Sequence, residues 1–371
     1  MALIDPHIWK ISGAKLAQDI PITAPDPGWH IVGVGDFTGD RKCDILWRRT
    51  NDTLEPRVWS LDDGGKKQLD VGLPFPDPGW RIVAVGDFNG DGVADVLWRR
   101  IDDTGKLRLW LLNKKQEIDR VVDLKAVTKE WRVAGVGNFT QIGRAGILWQ
   151  RTDNTGEPRI WLLNDQFGVE EIGLKSANVG WKIVGVGNFD DEGFDDILWR
   201  DSNGTGTPHI WLLDSDLKVK KEVTLKAPDL GWKVIGVGKF NTEIDGDNKA
   251  GILWRRSNGT GEVRIWVLGA DLSVKEDLAL GVPPSGLNVV AVGDFFRGGN
   301  DEILLGLSES CADLSKTVDG LLTEIEDLET RADQTDNPKV EAQLRKRIAE
   351  AKEALALAEE KGRVLGCSFP A

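Results

Sequence analysis

The chain has 371 residues, 40% of them hydrophobic and 29% charged, with a net charge of −13. That charge argues against a broad nucleic-acid surface, which needs clustered Lys and Arg, and no apolar run approaches the ~20 residues of a membrane helix, so no membrane insertion is expected. The absence of Tyr excludes a tyrosine nucleophile.

Taken in chain order, Met1-Ala2-Leu3-Ile4-Asp5-Pro6 lacks the basic and apolar regions of a signal peptide, and none is expected. His7-Ile8-Trp9-Lys10-Ile11 and residues 17–22 then read as two strands. From Trp29 onward a unit repeats. Its first Trp series is Trp29, Trp80, Trp131, Trp181 and Trp232, spaced by 51, 51, 50 and 51 residues. A second series is Trp47, Trp98, Trp149, Trp199 and Trp254. The third is Trp9, Trp59, Trp110, Trp161, Trp211 and Trp266, and together they account for all 16 tryptophans. A fixed period near 50 marks a propeller or solenoid array.

One period, residues 80–123, contains four β-rich runs. Trp80 to Val85 is a strand, Gly86 to Gly92 a turn, Asp95 to Arg100 a second strand, and Arg108 to Leu112 a third. The polar stretch Glu117 to Leu124 reads as an outer edge strand. Four short strands bounded by Gly, Asp and Asn predict a propeller blade. The last unit, from Leu287 to Leu305, stops after two strands, and the N-terminal segment supplies the missing two. The expectation is an all-β, six-bladed propeller over residues 4–310, closed by strands from both termini. An open solenoid is the competing architecture, but solenoids carry caps rather than split units.

After Ser310 the pattern changes. Leu314, Val318, Leu321, Leu322, Ile325 and Leu328 follow helical spacing, as do Val340, Leu344, Ile348, Ala351, Leu355 and Ala358. Thr335-Asp336-Asn337-Pro338 separates them, with Pro338 in the first turn of the second helix. Residues 311–371 are therefore expected to form an antiparallel helical hairpin, docked on the propeller or used for self-association. That geometry would bring Cys311 and Cys367 together in a disulfide; two unrelated thiols are the alternative.

The turn after each first strand carries candidate chemistry. Asp87-Phe88-Asn89-Gly90-Asp91-Gly92-Val93-Ala94-Asp95 places oxygen side chains at offsets 0, 2, 4 and 8 with Gly at 5, a spacing that can converge on a hard cation. The pattern resembles the FG-GAP (VCBS-type) repeat of integrin α-subunit propellers, bacterial surface proteins and some fungal lectins. Phe37-Thr38-Gly39 and Phe88-Asn89-Gly90 match its Phe-x-Gly part. The resemblance covers residues 4–310 and implies structural Ca²⁺. Its ligands would be Asp87, Asn89, Asp91, Asp95 and the Val93 carbonyl in the second repeat. The first repeat offers Asp36, Thr38, Asp40 and Asp44, with Arg41 where Gly is usual, and the fourth offers Asn188, Asp190, Glu192 and Asp196. The third repeat, with Ile142 and Gly146, has lost the charge. The fifth carries Lys239 and an insertion at Asn241–Asn248, and the sixth keeps only Asp294 and Glu302. The competing reading is that these Asp and Asn residues only form turns.

A cation precedes the third-strand Trp by two positions, on the same strand face. The pairs are His7 with Trp9, Arg57 with Trp59, Arg108 with Trp110, Arg159 with Trp161, His209 with Trp211 and Arg264 with Trp266. They read either as a ring of glycan pockets, Trp stacking on a sugar and Arg binding its hydroxyls, or as inter-blade packing. Trp in every blade is what packing predicts. Polar hairpins at Asp153–Gly156, Asn203–Gly206 and Asn258–Gly261 would cluster on one rim, where loops commonly bind. The three His have no metal-ligand spacing, and no nucleophile motif is present.

The reading from sequence is a calcium-stabilised, non-catalytic binding module, not an enzyme. Lectin-like recognition of glycans or adhesion is the main function. A protein-interaction scaffold is one alternative and a carbohydrate-active enzyme such as a lyase another. Calcium and the disulfide would place it outside the cell or at its surface; the missing signal peptide leaves the cytoplasm open. The oligomeric state is not legible.

Overall fold

A computed structural model gives the architecture. It describes residues 5–13, 15–23, 25, 29–49, 55–75, 79–100, 102, 104–140, 142–152, 155–201, 206–229, 231–240, 249–257, 260–307, 325, 328–329, 331–333, 338–349 and 352. The insertion at 241–248, both cysteines of the expected disulfide and the tips of the polar hairpins lie outside these residues.

Among the described residues, twenty-four strands form six four-stranded sheets. In blade 1 the strands are Trp29–Gly35, Asp44–Arg49, Pro56–Leu61 and Lys67–Gly72, and neighbours in sequence are neighbours in the sheet. Blades 2 to 5 repeat this order, beginning at Trp80, Trp131, Trp181 and Trp232. Blade 6 joins Leu287–Gly293 and Glu302–Leu307 to the N-terminal strands His7–Ser12 and Lys15–Pro21. The junction is antiparallel, with Trp9 opposite Ile303 and His7 opposite Leu305. The split blade is therefore as the sequence predicts.

The ring is closed by one backbone hydrogen bond that recurs at every seam. The amide before each second strand donates to the carbonyl that opens the preceding blade's first loop. Ala94 reaches Asp36, Ala145 reaches Asp87, Asp195 reaches Asn138, Ala250 reaches Asn188, Asp301 reaches Lys239, and Cys43 reaches Asp294. The last of these ties blade 1 to blade 6. All six lie between 2.5 and 2.8 Å.

Close approach of the inner strands explains the recurring Gly-x-Gly. A Cβ on Gly33 would lie 2.7 Å from the Val85 side chain of the next blade, and one on Gly185 would collide with Val237. The core between blades is filled by the second and third Trp series, whose rings meet in tilted pairs such as Trp98–Trp110 at 4.7 Å. Second-strand arginines reach across the seams onto the next blade's Trp. Arg48 lies 5.5 Å from Trp98, Arg99 5.9 Å from Trp149 and Arg200 5.3 Å from Trp254. These contacts combine apolar burial with cation–π attraction.

The chain divides into two compact units, the propeller and a unit made mainly of the residues after 307. In the second unit, helical residues include 331–333 and 338–349, with Pro338 opening the latter run. Leu328 and Ala332 cluster with Leu344 and Ile348. Lys352 pairs with Glu329 at 2.6 Å and Arg345 with Asp333 at 3.7 Å, so the two segments run antiparallel. No helix among the described residues is long and apolar enough to cross a membrane.

Candidate functional site

In each complete blade, the first loop and the third-to-fourth-strand turn share one end. The start of the inner strand and the start of the third strand share the other. The candidate cation loops and the Trp/Arg ring are therefore on opposite faces of the propeller.

In the blade-2 loop, Asp87 turns its carboxylate onto the loop backbone. It accepts from the amides of Gly90 at 2.7 Å and Gly92 at 2.8 Å. Asp91 accepts from the Val93 amide at 2.8 Å, and Asn89 donates to Asp91 at 2.8 Å. Asp95 is fully buried, accepting from Phe88 at 2.9 Å and from Leu112 on the third strand at 3.0 Å. Burial pushes its carboxyl up to about 8. Asp91 and Asn89 are brought side by side, whereas Asp95 is committed to joining strands. Val93 is buried and its side chain belongs to the core.

The other two loops share this frame. In loop 1 Asp36 accepts from the amides of Gly39 at 2.6 Å, Asp40 at 3.1 Å and Arg41 at 2.6 Å, and Thr38 is bound to the same carboxylate. Arg41 has φ 68°, the left-handed conformation that Gly92 takes at φ 83° in loop 2, which explains why Gly is the usual residue. Asp44 and Asp196 are buried like Asp95 and pushed up to about 7 by burial. Asn188 caps the Asp191 amide at 2.8 Å.

Ion pairs separate the loops. Lys42 pairs with Asp40 and with Asp63, both at 3.1 Å. Lys220 lies 2.8 Å from Asp190 and also pairs with Glu192. Among the described residues, no Lys or Arg pairs with Asp87 or Asp91. No group of three or more His, Cys, Asp and Glu is drawn together as a metal centre among them. The donor types of loop 2 still suit calcium, since Asp87 Oδ2, Asn89 Oδ1 and Asp91 Oδ1 each accept one amide and keep a second lone pair.

Two residues at these loops escaped the sequence reading. In blades 3 and 5 the buried second-strand carboxylate is replaced by Gly146 and Gly251. There the next blade supplies one. Asp195 accepts from the Asn138 amide at 2.7 Å, and Asp301 accepts from Lys239 at 2.7 Å. The other blades carry Cys43, Ala94, Ala145 and Ala250 at that position. The doubled acids Asp195-Asp196 and Asp301-Glu302 were the available signal.

On the opposite face, the third-strand indoles of Trp9, Trp59, Trp110, Trp161, Trp211 and Trp266 are only 2–7% exposed. Buried to this degree they offer no face to a sugar without repacking. Their cations stand more open and are matched by acids on the outer strand. Arg57 meets Asp70 at 3.1 Å, Arg108 meets Asp123 at 2.7 Å, Arg264 meets Asp277 at 3.4 Å, and His7 meets Asp19 at 2.6 Å. The aromatic surface at this ring comes instead from the first Trp series. Arg57 lies 5.1 Å from Trp29, Arg264 5.0 Å from Trp232, and His209 stacks on Trp181 at 3.7 Å while bonding Thr224 at 3.0 Å.

Blade 3 is the most developed of these clusters. Trp29, Trp80 and Trp232 are buried, whereas Trp181 and, in this blade, Trp131 are half-buried. Arg159 lies 4.3 Å above it and is held between Glu157 and Glu171. Glu171 also accepts from Lys125 and from the Trp161 indole, both at 3.1 Å. The indole N–H groups of Trp9, Trp59 and Trp211 have no such partner. A recess of about 140 Å³ opens here, lined by Lys125, Thr128, Trp131, Arg159, Trp161 and Glu171 among others. Arg99 of blade 2 fixes its wall, donating to the Thr128 carbonyl at 2.8 Å and to that of Trp131.

The fold and the loops together define a six-bladed β-propeller built from loop-bearing repeats. Residues 36–98 match the FG-GAP-like repeat model, so the chain is a six-bladed propeller containing an FG-GAP-type repeat region, consistent with the FG-GAP/VCBS propeller family. None of the curated proteins matches it. Among solved structures it is similar to the Photorhabdus luminescens Tc holotoxin pore, at 12% identity and TM-score 0.47, over 76% of this chain and 14% of that one. It is also similar to an oligogalacturonate lyase in complex with manganese, at 13% identity and TM-score 0.45, over 79% and 76% of the two chains. A third is the periplasmic gluconolactonase of Pseudomonas aeruginosa, at 11% identity and TM-score 0.42, over 69% and 72%. The expectation that the chain is not an enzyme is corrected by the last two. Both are enzymes, and a fold does not by itself fix a function, so a strictly non-catalytic assignment is not kept. At these scores the likenesses carry nothing about the chemistry of this chain.

Proposed function

We propose that the propeller is a carbohydrate-recognition module whose best-formed site is the blade-3 recess. The carrying observation is the convergence of the half-buried Trp131, the Arg159 guanidinium, Lys125 and Glu171 on one cavity of about 140 Å³. Sugars present an apolar face to an indole and a fan of hydroxyls to charged donors and acceptors. The cavity is smaller than the ~300 Å³ at which drug-sized pockets begin, which favours a single sugar unit or chain end. On this reading calcium binds loop 2 through Asp87, Asn89 and Asp91 as a structural ion, and the protein works where calcium is millimolar, outside the cell or on its surface.

The test is a glycan array in calcium and again in EGTA, repeated with R159A and W131A. The expected outcome is binding to one sugar class that both substitutions weaken at least tenfold, while R57A leaves it unchanged. Binding indifferent to Arg159 and Trp131, or none at all, would sink the proposal. A protein-interaction scaffold is the second reading, favoured by Leu69 and Val121, which stand 52% and 49% exposed on the outer strands of blades 1 and 2. It predicts a blank array and a protein partner whose binding L69K and V121K abolish.

A further inference from the structure

Loops 2 and 4 have the same backbone frame, but an ammonium group stands on one of them. Lys220 lies 2.8 Å from Asp190 and pairs with Glu192. Both Lys220 and Asp190 are largely shielded, their side chains 24% and 16% exposed. Asp190 and Glu192 occupy loop positions 2 and 4, where loop 2 has Asn89 and Asp91.

The outer strand explains how a lysine gets there. Leu212 pairs with Lys221 and Leu213 with Val219, which leaves Lys220 as the unpaired extra residue of a β-bulge. A bulge re-aims the side chain it inserts. In blade 2 the same bulge falls on Asp119, between the pairs Ile118–Leu112 and Arg120–Leu111. In blade 1 it falls on Gln68. The bulge is thus a shared device, and only its residue sets the sign of the charge presented.

We propose that Lys220 takes the place of the metal ion in the blade-4 loop, so that this loop is held by an internal cation and is indifferent to calcium. Two carboxylates at adjacent ligand positions need a positive charge between them. A lysine supplies a compact one with three donors at no cost in binding entropy from solution. While it sits there, a divalent ion meets both an occupied locus and like-charge repulsion. The contrast with loop 2 rests on the calcium reading above, but the role of Lys220 does not.

The experiment uses the full chain with loop 2 silenced by D87N and D91N. That protein is expected to show no calcium-dependent change in its thermal midpoint. Adding K220A is expected to create one, an upward shift of about 2–4 °C at saturating calcium for each kcal/mol of linked binding, and D190N should remove it. Calcium binding in the silenced protein that D190N abolishes would overturn the proposal, as would a folded K220A protein that stays blind to calcium. A second readout needs no variant at loop 4. In the parent protein, reductive methylation should label Lys220 more slowly than Lys218, which is 75% exposed, to the same degree with and without millimolar calcium. Labelling of Lys220 that calcium accelerates would mean that the ion displaces the amine and would equally overturn the proposal. Whether loop 2 binds calcium is read separately, from the parent against D87N/D91N.

Discussion

Blades 1, 2, 4 and 6 brace the first loop with a carboxylate on their own second strand, whereas blades 3 and 5 take one from the next blade. In the first group Asp44, Asp95, Asp196 and Glu302 accept from the amides of Phe37, Phe88, Phe189 and Phe295 at 2.8–2.9 Å. In the second group Gly146 and Gly251 leave no side chain, and Asp195 and Asp301 cross the seam to the amide one residue earlier. A Cβ at Gly146 would sit 2.9 Å from the Phe139 ring, so the local packing has closed over the lost acid. The difference teaches that the loop base needs a buried acceptor, while the blade that delivers it is open to change. The borrowed form also couples neighbours, because the residue whose amide closes the seam now closes it with its side chain as well.

The comparison can be broken most directly at Asp95. D95A orphans the buried amides of Phe88 and Leu112, and should cost about 3 kcal/mol. That corresponds to a fall of about 6–12 °C in the calorimetric midpoint. A loss under about 1 kcal/mol would mean that the acceptor is dispensable. A second effect is carried by pH. Burial raises the Glu302 carboxyl from 4.5 to about 7. The folded state therefore holds this proton more tightly than the unfolded chain. Its contribution to stability is greatest below about pH 4.5, declines as pH rises, and levels off above about 7. E302Q should remove that part of the slope, of the order of a few kcal/mol between the two limits. Urea titrations of parent and variant across this range would measure it, and parallel curves would show that Glu302 does not titrate there. The smallest effect is expected at Asp195. D195A installs the residue that three other seams already use and removes one hydrogen bond, for about 1 kcal/mol. Amide exchange should quicken at Asn138 and not at Asn188. Equal protection at the two would remove the distinction between the two kinds of blade.

Much of this molecule is readable along the chain. The three Trp series mark the blades because an indole at a fixed strand position is what fills a repeated wedge. The truncated last unit and the orphan strands at His7–Ile22 predict the closure, since an unpaired strand edge must find a partner. The Asp-x-Asn-x-Asp spacing points to the loops, and Arg41 is legible as an oddity before its φ of 68° gives the reason. Asp195 and Asp301 were harder to see, because one position before a strand carries no periodicity of its own. Lys220 was hidden for a different cause. A bulge shifts the strand register, so alternation along residues 219–224 misreports where its side chain goes. The blade-3 recess was one of six equivalent positions in the sequence; the reach of Glu171 to Arg159, Lys125 and the Trp161 indole sets it apart.

What the sequence determined by itself is everything governed by near neighbours: strand length, turn position, the repeat, the split blade and the helical residues after 307. These follow from alternation, Gly and Asn turn chemistry and helical spacing, which act within a few residues. What only the tertiary structure decided is where side chains meet across seams and strands. The third-strand Trp ring turned out to be core, its Arg partners became ion pairs, and Asp195, Asp301 and Lys220 gained roles from residues 28 to 62 positions away. The physical reason is that charge and packing act through space at a few ångströms, and sequence distance does not record which surfaces the closed ring brings that close.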